Sequence, residues 1–350
     1  MPARRAPLHM QRLTAAQQAA EALRAHRASG VWHDGLKSER QLAVELRVSR
    51  RTVRAALALV RGDAAGPAVA RRSPQPVRTV SRVCLLTPHP LSTFSSFEHQ
   101  WLHLVQRRLT ESGLPLEIVV QPLLYASGEP RRIERFLDQH PCAVWLLKSS
   151  PTKLQQWFQE HEMPCVVIGS RHPGIRLCSV EVDYAAAARH VTGQFARAGL
   201  KRAVYFEPNS MSAGTSLVRT AFVDSAAALG IAAAVRHVEL GRTAAVDAVL
   251  QELHAAPAAG WFFDSALHAL SALTWLLQHG HRWPGSGLAL AARQAEVFLG
   301  ESIPAIARYE ADAGRFAAKI CRLVLRQVQQ RYAEGEHLTL IPEFQHGETL

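Results

Sequence analysis

Val83-Cys-Leu-Leu86, Leu116-Glu-Ile-Val-Val120, Ala143-Val-Trp-Leu-Leu147 and Cys165-Val-Val-Ile168 are four short apolar runs, separated by amphipathic stretches of helical length at 97–112, 129–139 and 152–161. Runs of four or five apolar residues suit strands covered on both faces better than buried helices. Strand and helix in alternation predict a parallel sheet with helices on each side, because a parallel neighbour is reached only through a crossover.

Downstream the pattern repeats. Helices are predicted at 184–198, 215–229, 243–254 and 266–279, alternating with strands Arg202 to Phe206, Val235 to Leu240, Gly260 to Phe263 and Leu288 to Ala291. Two such series in one chain predict two lobes around a cleft. The first lobe is assigned to about 81–181 and 288–310, the second to about 182–287 and 311–350.

Upstream, Ser73-Pro-Gln-Pro-Val-Arg-Thr79 has two prolines and no apolar period. It reads as a semi-extended linker, 73–80, between this body and a separate domain at 1–72. Residues 1–80 hold fifteen Lys or Arg against five Asp or Glu, which accounts for nearly all of the chain's net charge of +11. Such concentration is the footprint of a phosphate-backbone binder; the competing reading is a solvated basic tail.

The order within that segment favours the binder. Thr14 with Gln17 forms one capping box ahead of an Ala- and Leu-rich helix that stops near Ser29-Gly30. Ser38 with Gln41 forms another, opening a short helix at 38–46 with Leu42, Ala43 and Leu46 on one face. After Arg47-Val48, Ser49 caps a third helix in which Val53, Ala56, Leu57 and Val60 share a face and Arg50, Arg51, Thr52 and Arg54 point outward. Two short helices at a tight turn, the second tipped with arginines, is the layout that enters a major groove.

These residues resemble the GntR-type winged helix-turn-helix signature: Leu36-Lys-Ser-Glu-Arg-Gln-Leu-Ala-Val-Glu-Leu46, then Val48-Ser-Arg-Arg-Thr-Val-Arg54 and Ala56-Leu57. The resemblance implies a DNA-contacting set of Lys37, Ser38, Arg40, Ser49, Arg50, Arg51, Thr52 and Arg54. Arg40 would hold a phosphate, Thr52 would touch the backbone, and Arg50 and Arg54 would reach base edges, where two donors match guanine O6 and N7. Lys37 stands where the family has Pro, Arg47 where it has a turn Gly, and Arg61 to Arg72 leaves room only for a stunted wing.

The body also resembles a family. Ser179-Val-Glu-Val-Asp183, Gly199-Leu-Lys-Arg-Ala-Val-Tyr-Phe206, Arg219-Thr-Ala-Phe222, Ile303-Pro304 and Leu340-Ile-Pro-Glu-Phe-Gln-His-Gly347 are similar to segments of LacI/GalR-type effector domains. The implied fold class is a small α winged helix-turn-helix domain followed by an α/β, two-lobed, periplasmic-binding-protein-like domain with parallel sheets. The implied effector site lies where strand carboxyl ends face the cleft. It comprises Phe94, Phe97, Ser149 (with Ser150), Arg219, Asp264, Arg293 and Gln294. Gln294 stands where the family has an aspartate, beside the cation Arg293, which suggests an acidic or modified sugar.

Other chemistry is set aside. His99 and His103 lack the glutamate of H-E-x-x-H, Ser150-Pro-Thr-Lys153 lacks the motifs that accompany S-x-x-K, and no phosphate-cradling glycine loop occurs. No cofactor or metal is expected. Five scattered cysteines, with no C-x-x-C, read as reduced thiols, and no signal or membrane segment is evident, so a cytoplasmic protein is expected. The reading is a homodimeric, ligand-responsive repressor bound to a pseudo-palindromic double-stranded operator, with a sugar-type effector and no membrane partner. Its rivals are a body that serves only as a dimerisation scaffold, and an enzyme fused to a DNA-binding head.

Overall fold

The computed structural model describes residues 14–28, 38–60, 82–208, 212–239, 246–249, 251–252, 258–283, 285–330, 332–333 and 335–350. The chain divides into two compact units, Met1–Arg78 and Thr79–Leu350. The expected linker, the wing segment and Lys37 lie outside the described residues.

In the first unit, α1 (Ala15–Ala28), α2 (Glu39–Glu45) and α3 (Arg50–Val60) enclose a small core of Ala19, Ala20, Leu23, Leu42, Val53 and Ala56. Both predicted capping boxes form: Thr14 N–H donates to Gln17 Oε1 at 2.8 Å, and Ser38 N–H to Gln41 Oε1 at 3.0 Å. Ser49 Oγ receives the Thr52 amide at 3.1 Å, as a cap for α3 should. The turn between α2 and α3 closes with Val48 N–H on Ala43 O and Arg47 N–H on Val44 O. That is the paired bonding of a Schellman stop, whose left-handed position is usually glycine. Here Arg47 occupies it at φ 52°.

The second unit holds two six-stranded sheets. In the first, β1 (Val83–Thr87), β2 (Leu116–Val120), β3 (Val144–Lys148), β4 (Cys165–Ile168), β5 (Cys178–Val182) and β11 (His337–Leu340) run parallel in the order β11-β5-β4-β3-β1-β2. In the second, β6 (Arg202–Glu207), β7 (Ala232–His237), β8 (Ala259–Phe263), β9 (Leu288–Ala292), β10 (Ala307–Glu310) and β12 (Glu343–Gln345) follow the order β12-β10-β9-β8-β6-β7. Only β12 is antiparallel to its neighbour in that sheet. Strands β1, β3, β4, β8 and β9 are buried along their whole length, which explains their unbroken apolar sequences.

Helices cover both faces of each sheet. α4 (Ser96–Glu111) and α12 (Ala313–Gln330) pack on one face of the first sheet. α5 (Pro122–Ser127), α6 (Pro130–Gln139) and α7 (Thr152–Glu160) pack on the other. The second sheet lies between α8 (Tyr184–Arg197) with α9 (Ala213–Ala228) and, opposite, α10 (Ala266–Gln278) with α11 (Val297–Gly300).

Two expectations change. β9 and β10 join the second sheet, and α12 and β11 the first, so the predicted assignment of 288–310 and 311–350 is reversed for those elements. The chain therefore passes between lobes three times, after β5, β10 and β11, and sequence order alone does not reveal where a late strand returns. Cys84 and Cys142 form a disulfide with Cα atoms 6.1 Å apart, whereas five free thiols were expected. Pairing of β1 with β3 sets Val83 opposite Val144 and brings the preceding Cys142 to the flank of Cys84. Cys165, Cys178 and Cys321 are free and buried.

Two substitutions test this packing. Gly260 on β8 faces Phe195 of α8, and a Cβ there would fall 2.3 Å from the ring. Gly260→Ala is expected to cost about 3 kcal/mol in denaturant unfolding, at the upper end for overpacking. Arg47→Gly should stabilise the first unit by about 0.5–1 kcal/mol, the relief of left-handed strain less the entropic cost of glycine. Hydrogen exchange should show slower exchange confined to α2 and α3.

Candidate functional site

Between the lobes lies a cleft of about 250 Å³. Its walls come from the carboxyl ends of β3, β4, β5, β8 and β9 and from the first turns of α4, α8 and α9. Parallel strands produce this arrangement: β1 and β3 are sheet neighbours whose connections depart to opposite faces, opening a crevice at their carboxyl ends, and β6 and β8 repeat it across the gap.

Two largely buried ion pairs dominate the electrostatics. In the first lobe, Lys148 Nζ lies 2.7 Å from Glu98 Oε1 and 4.5 Å from the centre of the Phe94 ring. Glu98 also closes a capping box on Ser95, accepting from Ser95 N–H at 2.8 Å. Burial would push the Glu98 carboxyl up, but Lys148 and the Ser95 donors together hold it below the ordinary range.

In the second lobe, Arg293 Nη2 donates to Asp264 Oδ2 at 2.9 Å. Nε lies 2.5 Å from Oδ1 as a close ionic contact without hydrogen-bond geometry. Tyr205 Oη donates to Asp264 Oδ1 at 2.7 Å, and the Tyr184 ring stacks 4.3 Å from the guanidinium carbon. Burial opposes the Arg293 charge, yet Asp264 and the two phenols hold it above even its ordinary value. Burial pushes the Tyr184 hydroxyl up to about 12, and burial with the neighbouring Asp264 carboxylate raises Tyr205 well above its usual range.

Of the effector residues expected from sequence, Phe97, Ser149, Asp264, Arg293 and Gln294 line the cleft, together with Ser150. Two do not. Phe94 is 7% exposed and sits in the first lobe's core, where its ring supports Lys148. Arg219 lies outside the cleft wall because the fully buried Glu207 carboxylate at the end of β6 takes its Nε at 2.7 Å. Ser149 adopts φ 53°, a left-handed conformation that costs about 1–3 kcal/mol in a non-glycine residue and recurs at ligand clamps.

Sequence reading missed Glu98, Trp101, Lys148, Ser170, Tyr184 and Phe316 in this wall. One signal was available: Ser95-Ser-Phe-Glu98 is a capping box, which places Glu98 in the first turn of a helix beside the cleft.

In the first unit, Arg40, Arg50, Arg51 and Arg54 are all exposed. Arg54 is not free-standing, since its Nη2 donates to Glu39 Oε2 at 2.8 Å and its Nε is 3.2 Å from both carboxylate oxygens. Ser38 and Ser49 hydroxyls are engaged in helix caps, and Thr52 Oγ1 lies 2.9 Å from Ser49 Oγ. Among the described residues no group of three or more His, Cys, Asp or Glu has the placement to hold a metal ion, and no helix is long and apolar enough to cross a membrane.

Comparison with known proteins places this geometry. Residues 192–350 match the family model of the periplasmic binding protein-like domain. The transcriptional regulator CelR, in complex with cellobiose, superposes with a TM-score of 0.67 at 18% identity, covering 90% of this chain and 100% of that one. A LacI family transcriptional regulator from Silicibacter pomeroyi gives 0.65 at 18% identity, over 77% of this chain and 98% of the other. A putative LacI transcriptional regulator from Bacillus cereus subsp. cytotoxis gives 0.68 at 14% identity, with the same coverages. No curated protein sequence matches the chain. The second unit thus has the two-lobed periplasmic-binding-protein-like fold, shared with solved transcriptional regulators.

Removing one partner of a buried pair strands the other charge. Asp264→Ala should therefore lower stability by about 3–5 kcal/mol, read by denaturant unfolding. The double change Asp264→Ala with Arg293→Met should recover much of that loss.

Proposed function

We propose that this protein is a cytoplasmic, homodimeric, DNA-binding transcription regulator, a repressor, whose operator affinity is set by a neutral polyhydroxy effector of the sugar type closed between its two lobes. One observation carries the effector class. The two cations of the cleft wall, Lys148 and Arg293, are already matched by Glu98 and Asp264, while Ser149 Oγ, Ser170 Oγ and the Gln294 amide form no hydrogen bond among the described residues. A phosphate or carboxylate entering the cleft finds no uncommitted cation, and a hydroxyl-rich neutral ligand finds unspent donors and acceptors. Arg293, paired with Asp264, does not single out an acidic sugar.

Support for DNA binding comes from the basic three-helix unit with its capped, arginine-tipped third helix, and from the regulator bound to cellobiose, whose likeness at 90% coverage extends beyond the second unit alone. Arg50 is the leading base reader. Arg54, gripped by Glu39, is oriented before DNA arrives, so its contact costs less ordering. In this reading the unit is a winged helix-turn-helix of GntR type.

The enzyme rival has one feature to account for. Ser179 Oγ lies 2.7 Å from His337 Nδ1, and His337 Nε2 lies 3.0 Å from Glu181, a serine-histidine-acid chain. Ser179 is fully buried in the first register pair of β5 with β11, directly opposite His337, and does not line the cleft, so its hydroxyl reaches no substrate. The chain ties an edge strand to its sheet.

Fluorescence anisotropy against DNA from the gene's own upstream region and against scrambled DNA, over a salt series, tests the regulator. A specific complex favoured by about 10³ or more, with a steep salt slope, is expected. Arg50→Ala should weaken it by about 1–3 kcal/mol and relax one base position. Equal affinity for both DNAs removes the regulator reading. In calorimetric titration, neutral sugars should yield a saturable binder where their phosphorylated forms yield none, and a sugar phosphate that binds best refutes the neutral-effector assignment.

A further inference from the structure

The cleft does not end at the residues that carry its two ion pairs. Along the same seam between the lobes lies a second hollow of about 260 Å³. Ser95, Phe97, Tyr184 and Gln294 wall both spaces, so the two adjoin across this waist. The second hollow adds Gln100 from α4, Ala295 and Glu296 from the segment after β9, and Arg308 from β10. Its outer side is built by a contact between lobes: Glu296 Oε1 accepts the Ser96 amide at 3.0 Å while Oε2 takes the Ser96 hydroxyl, so a second-lobe carboxylate caps a first-lobe helix.

Size decides what this seam holds. Pockets that enclose a small molecule run to roughly 300–1,000 Å³. Either hollow alone falls below that range, and the two together fall within it. The chemistry is continuous as well. Gln294 faces both hollows with its amide unspent, and Gln100 likewise forms no hydrogen bond among the described residues. Arg308 already donates from Nη1 to Ile306 O at 3.4 Å, and Glu296 is engaged by Ser96. The groups with hydrogen-bonding capacity to spare are therefore the Gln100 and Gln294 amides, the remaining Arg308 N–H donors and the Glu301 and Glu310 carboxylates, a mixed set of donors and acceptors that suits sugar hydroxyls.

We infer that the effector is an elongated polyhydroxy ligand of two rings. One ring occupies the cleft beside Ser149 and Asp264. The other occupies the second hollow against Gln100, with Gln294 hydrogen-bonding at the junction. This rests on the neutral-effector reading above and adds a second subsite to it.

Matched titrations test it on the intact protein: glucose with maltose and cellobiose, galactose with lactose, xylose with xylobiose. At least one disaccharide should bind about tenfold or more tightly than its own monosaccharide. Gln100→Trp, an exposed position on α4 where the fold tolerates change, fills only the second hollow. It should weaken that disaccharide about tenfold while moving the monosaccharide by less than about twofold. Ala295→Trp, entering from the other lobe, should do the same, with the melting temperature of each variant checking its fold. Equal affinities within every pair, or a disaccharide unmoved by both variants, overturns the second subsite and leaves the effector reading standing. Failure of every sugar to saturate removes that reading and the subsite together.

Discussion

Parallel strand pairing is the constraint on which the rest of this body depends. A parallel neighbour is reached only by a crossover, so every strand of a sheet points the same way and all carboxyl ends gather at one edge. Both sheets are wound outward in the same sense, β2-β1-β3-β4-β5 and β7-β6-β8-β9-β10. The carboxyl edges face each other, and α4, α8 and α9, each entered after a strand, present their amino ends to the gap. Ser95, Asp183 and Ser212 each cap such a helix at the cleft. A site rich in short polar residues follows from the winding before any ligand is considered.

Three chain crossings tie the two lobes, and each lies at the edge-strand side of the sheets, after β5, β10 and β11. Seams between lobes also form away from those crossings. Glu296 reaches Ser96, and Gly214 at the start of α9 comes so near Ser170 that an added Cβ would stand 3.1 Å from its hydroxyl. A small residue at 214 is what lets the second lobe approach the β4 loop there.

Each of the two cations in the cleft wall is matched by a carboxylate of the same wall. Lys148 over Phe94 and Arg293 over Tyr184 each combine an aromatic face with a carboxylate partner, which holds a cation rigidly where a flexible one would seek an anion in the ligand. The same logic works outside the cleft. Glu252, 1% exposed, takes Arg202 at 2.6 Å and Arg236 at 2.5 Å, and Glu207 takes Arg219. Arginine near this site is structural by virtue of a buried carboxylate within reach.

The sequence by itself determined what depends on neighbours in the chain. Apolar runs such as Val83 to Leu86 and Gly260 to Phe263 announced buried parallel strands, and Ser38 with Gln41 announced a helix start, because burial period and capping are local. The left-handed turn at Arg47, φ 52°, was not announced by the residue itself, since arginine has no preference for that conformation. Contacts between distant residues were not legible. Phe136 with His140, Trp157 with His161 and Trp275 with His279 share a four-residue spacing, yet stacking of each imidazole 3.9–4.3 Å from its aromatic partner became visible only in three dimensions. Tertiary structure alone decided that β9 joins the second sheet, that Cys84 meets Cys142, that Arg219 is spent on Glu207, and that Arg293 is neutralised by Asp264. The reason is physical: what a charged or reactive side chain does depends on which partner lies within a few ångströms, and sheet order, not sequence order, chooses the partner.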